Sequence, residues 1–245
     1  MKRLTIAGTG IKFLAHLTTE VKGIIKSSSC VLYLLNEPAM KHWVLNNSKI
    51  SFSLDEIYYS CEKRIDAYEK IVQVVLSYAG KYNDLVLLIY GHPLVFSSVA
   101  MKLIEQCSNS EMQLSVLPGI SALDCLLADL RIDPAGAGLQ CYDATLFINK
   151  NVEYSSSAHL ILWQIAIVNE IKIIKGEINK VTQKTGLSYL KKILLNKYSA
   201  NHPLILYVAA LYAGVSSEII ELELDSLEEI EIPRLATLYI PPLCS

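Results

Sequence analysis

The chain has 245 residues, 52% of them hydrophobic and 19% charged, with a formal net charge of −2. That length suits two small domains with a sizeable core, and the dispersed Lys and Arg residues exclude a phosphate-backbone binder, so no nucleic-acid partner is expected. No apolar run approaches the ~18 residues of a membrane span, and the N-terminus lacks a secretory h-region; the chain reads as cytoplasmic, with no membrane partner.

In chain order, residues 4–7 form a short apolar strand that Gly8-Thr9-Gly10 ends. The pattern predicts a helix over about 13–26, with Thr18 and Thr19 on its polar face. A strand follows at 31–35, a short helix at 39–45 and a weak strand at 49–53. Residues 62–78 carry Ile65, Tyr68, Ile71, Val72, Val75 and Leu76 at helical spacing. Residues 85–90 are a fully apolar strand, 95–107 a helix and 114–117 a strand. Continuous apolar strands alternating with helices predict a parallel sheet buried on both faces. Beyond Pro118, strands are expected at 146–148, 159–165, 204–208, 218–222 and 235–240, with one long helix at 183–198. This half reads as a more antiparallel α/β layer. The expected domains are 1–117 and 118–245.

Three turns follow strands. Gly8-Thr9-Gly10 lacks the third glycine of a dinucleotide fingerprint, since residue 13 is Phe13, and by itself fits a plain tight turn. Tyr90-Gly91-His92-Pro93 fits either a strand-to-helix loop or a turn that lets backbone approach a ligand. Pro118-Gly119-Ile120-Ser121-Ala122 fits a linker or a ligand-facing turn, with Ser121 able to cap the next helix. No GxSxG elbow is present. Six cysteines (Cys30, Cys61, Cys107, Cys125, Cys141 and Cys244) have no metal or CxxC spacing, and read as reduced, mostly core thiols. The five histidines form no HxxxH pair, so no metal is expected.

Arg64 and Tyr68 lie one helical turn apart on one face, after Tyr58 and Tyr59. A guanidinium beside a phenol favours the phenolate, one route to a tyrosine general base. From spacing alone an ordinary Arg–Tyr packing pair, common on helix surfaces, is the better fit.

Taken together, the strand ending in Gly-Thr-Gly, the central Tyr90–Phe96 segment and the Pro118–Ala122 linker resemble the tetrapyrrole (precorrin/corrin) methylase superfamily. Four further segments resemble its borosin branch, the peptide α-N-methyltransferases: residues 63–68, residues 126–134 with Ala-Asp-Leu-Arg-Ile-Asp-Pro, residues 159–164, and the ending 236–242 with Tyr-Ile-Pro-Pro. The resemblance implies two α/β domains with S-adenosylmethionine (SAM) in the cleft between them. It implies methyl transfer to backbone amides of a ribosomally made precursor peptide, with S-adenosylhomocysteine as the other product, by a homodimer with which the precursor could form a 2:2 assembly. Tyr90, His92, Val95, Ala122, Gln164, Tyr207, Ala209, Ala236 and Thr237 match cofactor-lining positions. Arg64 and Tyr68 match the catalytic pair, and Tyr59 and Tyr90 match tyrosines near the transferred methyl.

The sequence departs from the borosin pattern at Leu94, where glycine is usual, at Ala236, where serine is usual, and in a shortened 59–64 segment. The ending just after Pro242 resembles split borosins, whose precursor is a separate chain. Two rival readings remain: a methyltransferase acting on a tetrapyrrole ring carbon, and a SAM-binding regulatory module without catalysis.

Overall fold

A computed structural model describes residues 2–108 and 111–243. They form two compact units: the chain up to Cys125 together with Ala210–Val215, and Leu126–Ala209 together with the chain from Ser216 onward. The sequence reading set its boundary at 117/118, before the helix within which the units divide.

The first unit contains β1 (Arg3–Gly8), α1 (Thr19–Ser27), β2 (Cys30–Leu34), α2 (Pro38–Asn47), β3 (Ser51–Ser53), α3 (Asp55–Tyr59), α4 (Arg64–Lys81), β4 (Asp84–Ile89), α5 (Ser98–Cys107) and β5 (Gln113–Leu117). The strands pair in parallel in the order β3-β2-β4-β1-β5. Alternate residues serve opposite faces. Leu4, Ile6, Leu85 and Leu87 pack with Ile71, Val72 and Val75 of α4 and Leu103 of α5. Ala7, Val31, Val86 and Leu88 pack with Val21 and Ile25 of α1 and Met40 and Val44 of α2. Two covered faces explain why β2 and residues 85–89 of β4 are apolar at every position.

Helix α1 is shorter than predicted because Thr18, expected on its polar face, caps it: the Thr18 hydroxyl accepts from the Val21 amide at 3.2 Å. Leu14, at φ +54°, keeps the preceding segment out of the helix.

α6 (Ala122–Leu130) runs into the second unit, which adds β6 (Leu139–Asp143), α7 (Ala144–Asn149), β7 (His159–Trp163), α8 (Lys180–Leu194), β8 (Pro203–Val208), β9 (Glu218–Glu223) and β10 (Thr237–Ile240). Its sheet order is β6-β7-β10-β8-β9, with β6 and β7 parallel and the remaining pairs antiparallel. Phe147 of α7 and Leu187, Leu190 and Leu194 of α8 pack on Leu160, Leu162, Leu204, Leu206 and Leu238.

Residues 146–148, predicted as a strand, lie in α7. Asp143 accepts from the Leu146 amide at 2.7 Å and starts that helix, and a three-residue apolar run carries no period to oppose it. The strand is β6, just before. No disulfide joins the described cysteines; Cys30, Cys61, Cys107 and Cys125 are buried and Cys141 is exposed, while Cys244 lies outside the described residues. No helix among the described residues is long and apolar enough to cross a membrane.

Candidate functional site

In the first unit the three ambiguous turns come together at the carboxyl ends of β1, β4 and β5, the edge where open α/β sheets take ligands. Gly10 and Gly91 exchange backbone hydrogen bonds of 3.1 Å in each direction, and both lie at φ just above +70°, a region glycine adopts freely. A Cβ on Gly8 or on Gly119 would collide with the Gly91 carbonyl oxygen. Thr9, 1% exposed, is locked between them. Ser121 caps α6, as its position suggested. Its amide and hydroxyl both donate to Asp124 Oδ2, at 2.7 and 2.6 Å, and its hydroxyl accepts from the Asp124 amide at 3.2 Å.

The turn after Tyr90 is closed by Val95 N donating to His92 O at 3.2 Å, and Leu94 N donates to His92 Nδ1 at 3.1 Å. Leu94 is accommodated because its side chain is exposed. Half-buried Tyr90 packs on the α1/α2 core. Burial, then Cys125 and Glu37, push its phenol up to about 12. Glu37 is a buried carboxylate capping α2; it accepts from Met40 N at 2.5 Å and from the Tyr212 hydroxyl at 2.6 Å. Burial alone would raise its pKa, but the Tyr212 hydroxyl, the Ala39 and Met40 amides and Lys41 outweigh that and hold it below the usual carboxylate value. The Ala210–Val215 segment is pinned on this unit by that bond and by Phe13 N donating to Leu211 O at 2.8 Å.

A second cluster lies where α3 meets α4. The Tyr58 and Tyr68 rings are 6.2 Å apart and hydrogen-bonded, and Tyr59 meets Tyr58 edge-on at 5.2 Å. Burial, and next the neighbouring Tyr68, push the Tyr58 phenol up to about 12, while Arg64 pulls the other way. Arg64 occupies the first helical position of α4, an end where the helix dipole disfavours a cation, so helix stability does not account for it. Tyr58 hydrogen-bonds Tyr68, and Tyr59 is 46% exposed. Sequence spacing could not give their directions, because the turn closing α3 sets them.

In the second unit, strand register gathers the remaining residues at one end of the sheet. Gln164 follows β7, Thr237 opens β10 and pairs with Tyr207 of β8, and Leu238 pairs with Leu162 of β7. Ala236 and Ala209 flank those strand ends. Gln164 sits at φ +57°, a conformation sparsely populated by non-glycine residues. Tyr207 is 1% exposed, and its hydroxyl donates to Asp129 at 2.7 Å; sequence reasoning gave Asp129 no role. A cavity of about 680 Å³ elsewhere in this unit, lined by residues such as Asn169, Lys184, Tyr189 and Glu228, includes none of the predicted residues.

The family model described as Tetrapyrrole (Corrin/Porphyrin) Methylases matches residues 3–159. The chain belongs to the tetrapyrrole methylase family. Among solved structures, the fold of this tetrapyrrole methylase is similar to uroporphyrin-III C-methyltransferase from Thermus thermophilus (TM-score 0.68, 16% identity, 98% of this chain and 92% of that one). The same enzyme complexed with S-adenosyl homocysteine aligns with a TM-score of 0.67 and 15% identity, over 98% of this chain and 97% of that one.

Curated relatives are closer in sequence. The methyltransferase and cyclic-peptide gymnopeptides precursor gymMA1 of Gymnopus fusipes is 32% identical over 98% of this chain and 57% of its own length. The methyltransferase and type I borosin precursor sveMA of Serendipita vermifera subsp. bescii is 32% identical over 98% of this chain and 58% of its own. The chain therefore spans a little over half the length of these relatives.

Proposed function

We propose that this chain is a SAM-dependent α-N-methyltransferase acting on backbone amides of a ribosomally made precursor peptide. The observation that carries this reading is the hydrogen-bonded Tyr58–Tyr68 pair beside Arg64, in a chain similar along its length to relatives named as methyltransferase and cyclic-peptide precursor in one.

An amide nitrogen is a poor nucleophile because its lone pair is delocalised into the carbonyl. Methylating it requires a base for the N–H proton and a partner for charge developing on the carbonyl oxygen. Tyr68 is the proton acceptor at its phenolic oxygen. The Arg64 charge favours the Tyr68 phenolate, and Tyr58, whose own phenol stays neutral up to about pH 12, donates a hydrogen bond to it. Arg64 and Tyr59 are the candidates for stabilising the amide oxygen. SAM, when bound, supplies an electrophilic methyl group.

The turns joined at Gly10 and Gly91 stand at the carboxyl ends of β1 and β4, the edge where open α/β sheets take such a ligand. In this reading Tyr90, His92, Val95, Ala122, Gln164, Tyr207, Ala209, Ala236 and Thr237 are its binding residues. A homodimer, and a precursor offered as a separate chain, belong to the same proposal.

The test is mass spectrometry of a synthetic precursor peptide incubated with the protein and SAM. Mass gains in one-methylene steps, located on backbone nitrogens by fragmentation, are the expected result; an unchanged peptide sinks the reading. The family's description favours a second reading, methylation of a tetrapyrrole ring carbon. A tetrapyrrole that gains methyl groups where the peptide gains none would replace the first reading with it.

A further inference from the structure

Residues 126–134 include a distinctive Asp-Leu-Arg-Ile-Asp-Pro stretch to which the proposed chemistry assigns no task. Asp129, near the end of α6, turns its carboxylate onto the β8–β9 hairpin. One oxygen, Oδ2, accepts from the Tyr207 hydroxyl at 2.7 Å and from the Ser217 hydroxyl at 2.6 Å. The two hydroxyls are 3.3 Å from each other. All three residues lie within the second unit.

The strand register shows what this clamp holds. Val208 pairs with Glu218, so Ser217 stands at the loop end of the hairpin, where the chain leaves β8 for Ala209. Tyr207 itself pairs with Thr237 of β10. A single carboxylate thus ties both arms of the hairpin at the place where Tyr207, Ala209 and Thr237 gather. A buried phenol needs a hydrogen-bond partner, and two donors on one charged oxygen make short bonds that fix direction as well as distance.

We propose that Asp129 is a positioning residue for the cofactor: its carboxylate holds the Tyr207 hydroxyl and the loop end of the β8–β9 hairpin in the form that takes SAM. This rests on the reading of Tyr207, Ala209 and Thr237 as SAM-binding residues. Asp129 acts through Tyr207 and Ser217, so its loss falls on cofactor affinity and leaves the chemical step at α3 and α4 in place.

The experiment is calorimetric titration of SAM and of S-adenosylhomocysteine into the wild type and into the Asp129→Ala, Asp129→Asn, Tyr207→Phe, Ser217→Ala and Asp129→Ala/Tyr207→Phe variants, with kcat and KM on the peptide alongside. Asp129→Ala is expected to weaken SAM binding about tenfold, the fold-change that goes with losing hydrogen bonds to a charged acceptor, with kcat at saturating SAM within about threefold of the wild type. Asp129→Asn, which keeps an acceptor of the same shape, falls between. The double variant binds no more weakly than the weaker single, because the two side chains act through one bond.

SAM affinity within about twofold of the wild type in a folded Asp129→Ala protein overturns the proposal, and so do additive losses in the double variant. Should Asp129→Ala fail to fold, Tyr207→Phe and Ser217→Ala decide: unchanged affinity in both overturns it. A wild type that binds no SAM removes this proposal and the reading beneath it together. A wild type that binds SAM but leaves the peptide unmethylated removes only the peptide substrate, and the affinities still decide the role of Asp129.

Discussion

Tyr58 and Tyr68 share a hydrogen bond, with ring centroids 6.2 Å apart and planes tilted by 32°. Neither the spacing of the residues nor the family resemblance paired these two; the resemblance placed Tyr59 near the transferred methyl. If Tyr68 is the base, Tyr68→Phe loses about 10²–10⁴-fold in kcat, the usual share of general-base catalysis, while calorimetry finds SAM affinity little changed. Tyr58→Phe costs about tenfold in kcat, the worth of one hydrogen bond to a charged oxygen. Comparing Tyr58→Phe with Tyr59→Phe under the same conditions tests the pairing, and the larger loss is expected for Tyr58.

The glycine knot sets a stability test. Ala at Gly119 drives a methyl into the Gly91 carbonyl oxygen, a backbone atom that cannot rotate away. Gly119→Ala is expected to cost about 1–3 kcal/mol as an overpacking change. Gly23 lies inside α1 with nothing within 4 Å of an added Cβ, so Gly23→Ala is expected to gain about 0.8–1 kcal/mol from helix propensity. Urea unfolding of both variants measures the two signs in one background.

Five tyrosines, Tyr58, Tyr90, Tyr154, Tyr198 and Tyr239, have phenols raised to about 12, chiefly by burial. A phenol whose pKa is higher folded than unfolded contributes stability that is complete below the unfolded value of about 10. That contribution disappears as the pH rises toward 12. The protein is therefore expected to unfold between about pH 10 and 12, with tyrosinate absorbance and loss of helical circular dichroism rising together. Tyrosinate formation at full stability through that window would contradict it.

Glu37 titrates with the opposite sign. Its folded pKa lies below the ordinary carboxylate value, so its contribution is present above that ordinary value and is lost as pH falls through the folded one. Tyr212→Phe removes one of its hydrogen bonds and is expected to lower stability at neutral pH. The difference from the wild type should shrink in acid, as read by thermal unfolding at several pH values.

Tyr198 is 4% exposed, and its hydroxyl has no hydrogen-bond partner among the described residues. Its ring packs against Tyr154 and His202. Tyr198→Phe keeps that packing and removes a buried, unsatisfied polar group, so it is expected to stabilise the protein by about 1 kcal/mol. A loss of stability on denaturant titration would contradict this.

The parallel first sheet was legible in the sequence because both of its faces are covered. Burial on two sides favours apolar residues on both faces of a strand, and residues 85–88 are all fully buried. The family was legible because its turns need particular residue types. The second unit was less so: α7 stood where a strand was predicted and β6 was missed, since short apolar runs carry no period and a single cap at Asp143 decided the outcome.

By itself, then, the sequence determined which residue types stand at each strand end, and with them the family. Tertiary structure alone decided which of those residues meet. It joined three separately ambiguous turns into one glycine contact, set Tyr58 against Tyr68, and put Asp129 on Tyr207 across 78 residues of chain. Composition and spacing record what local backbone requires. The direction of a side chain at the end of a helix or strand depends on register and packing between distant segments, which no single stretch of sequence carries.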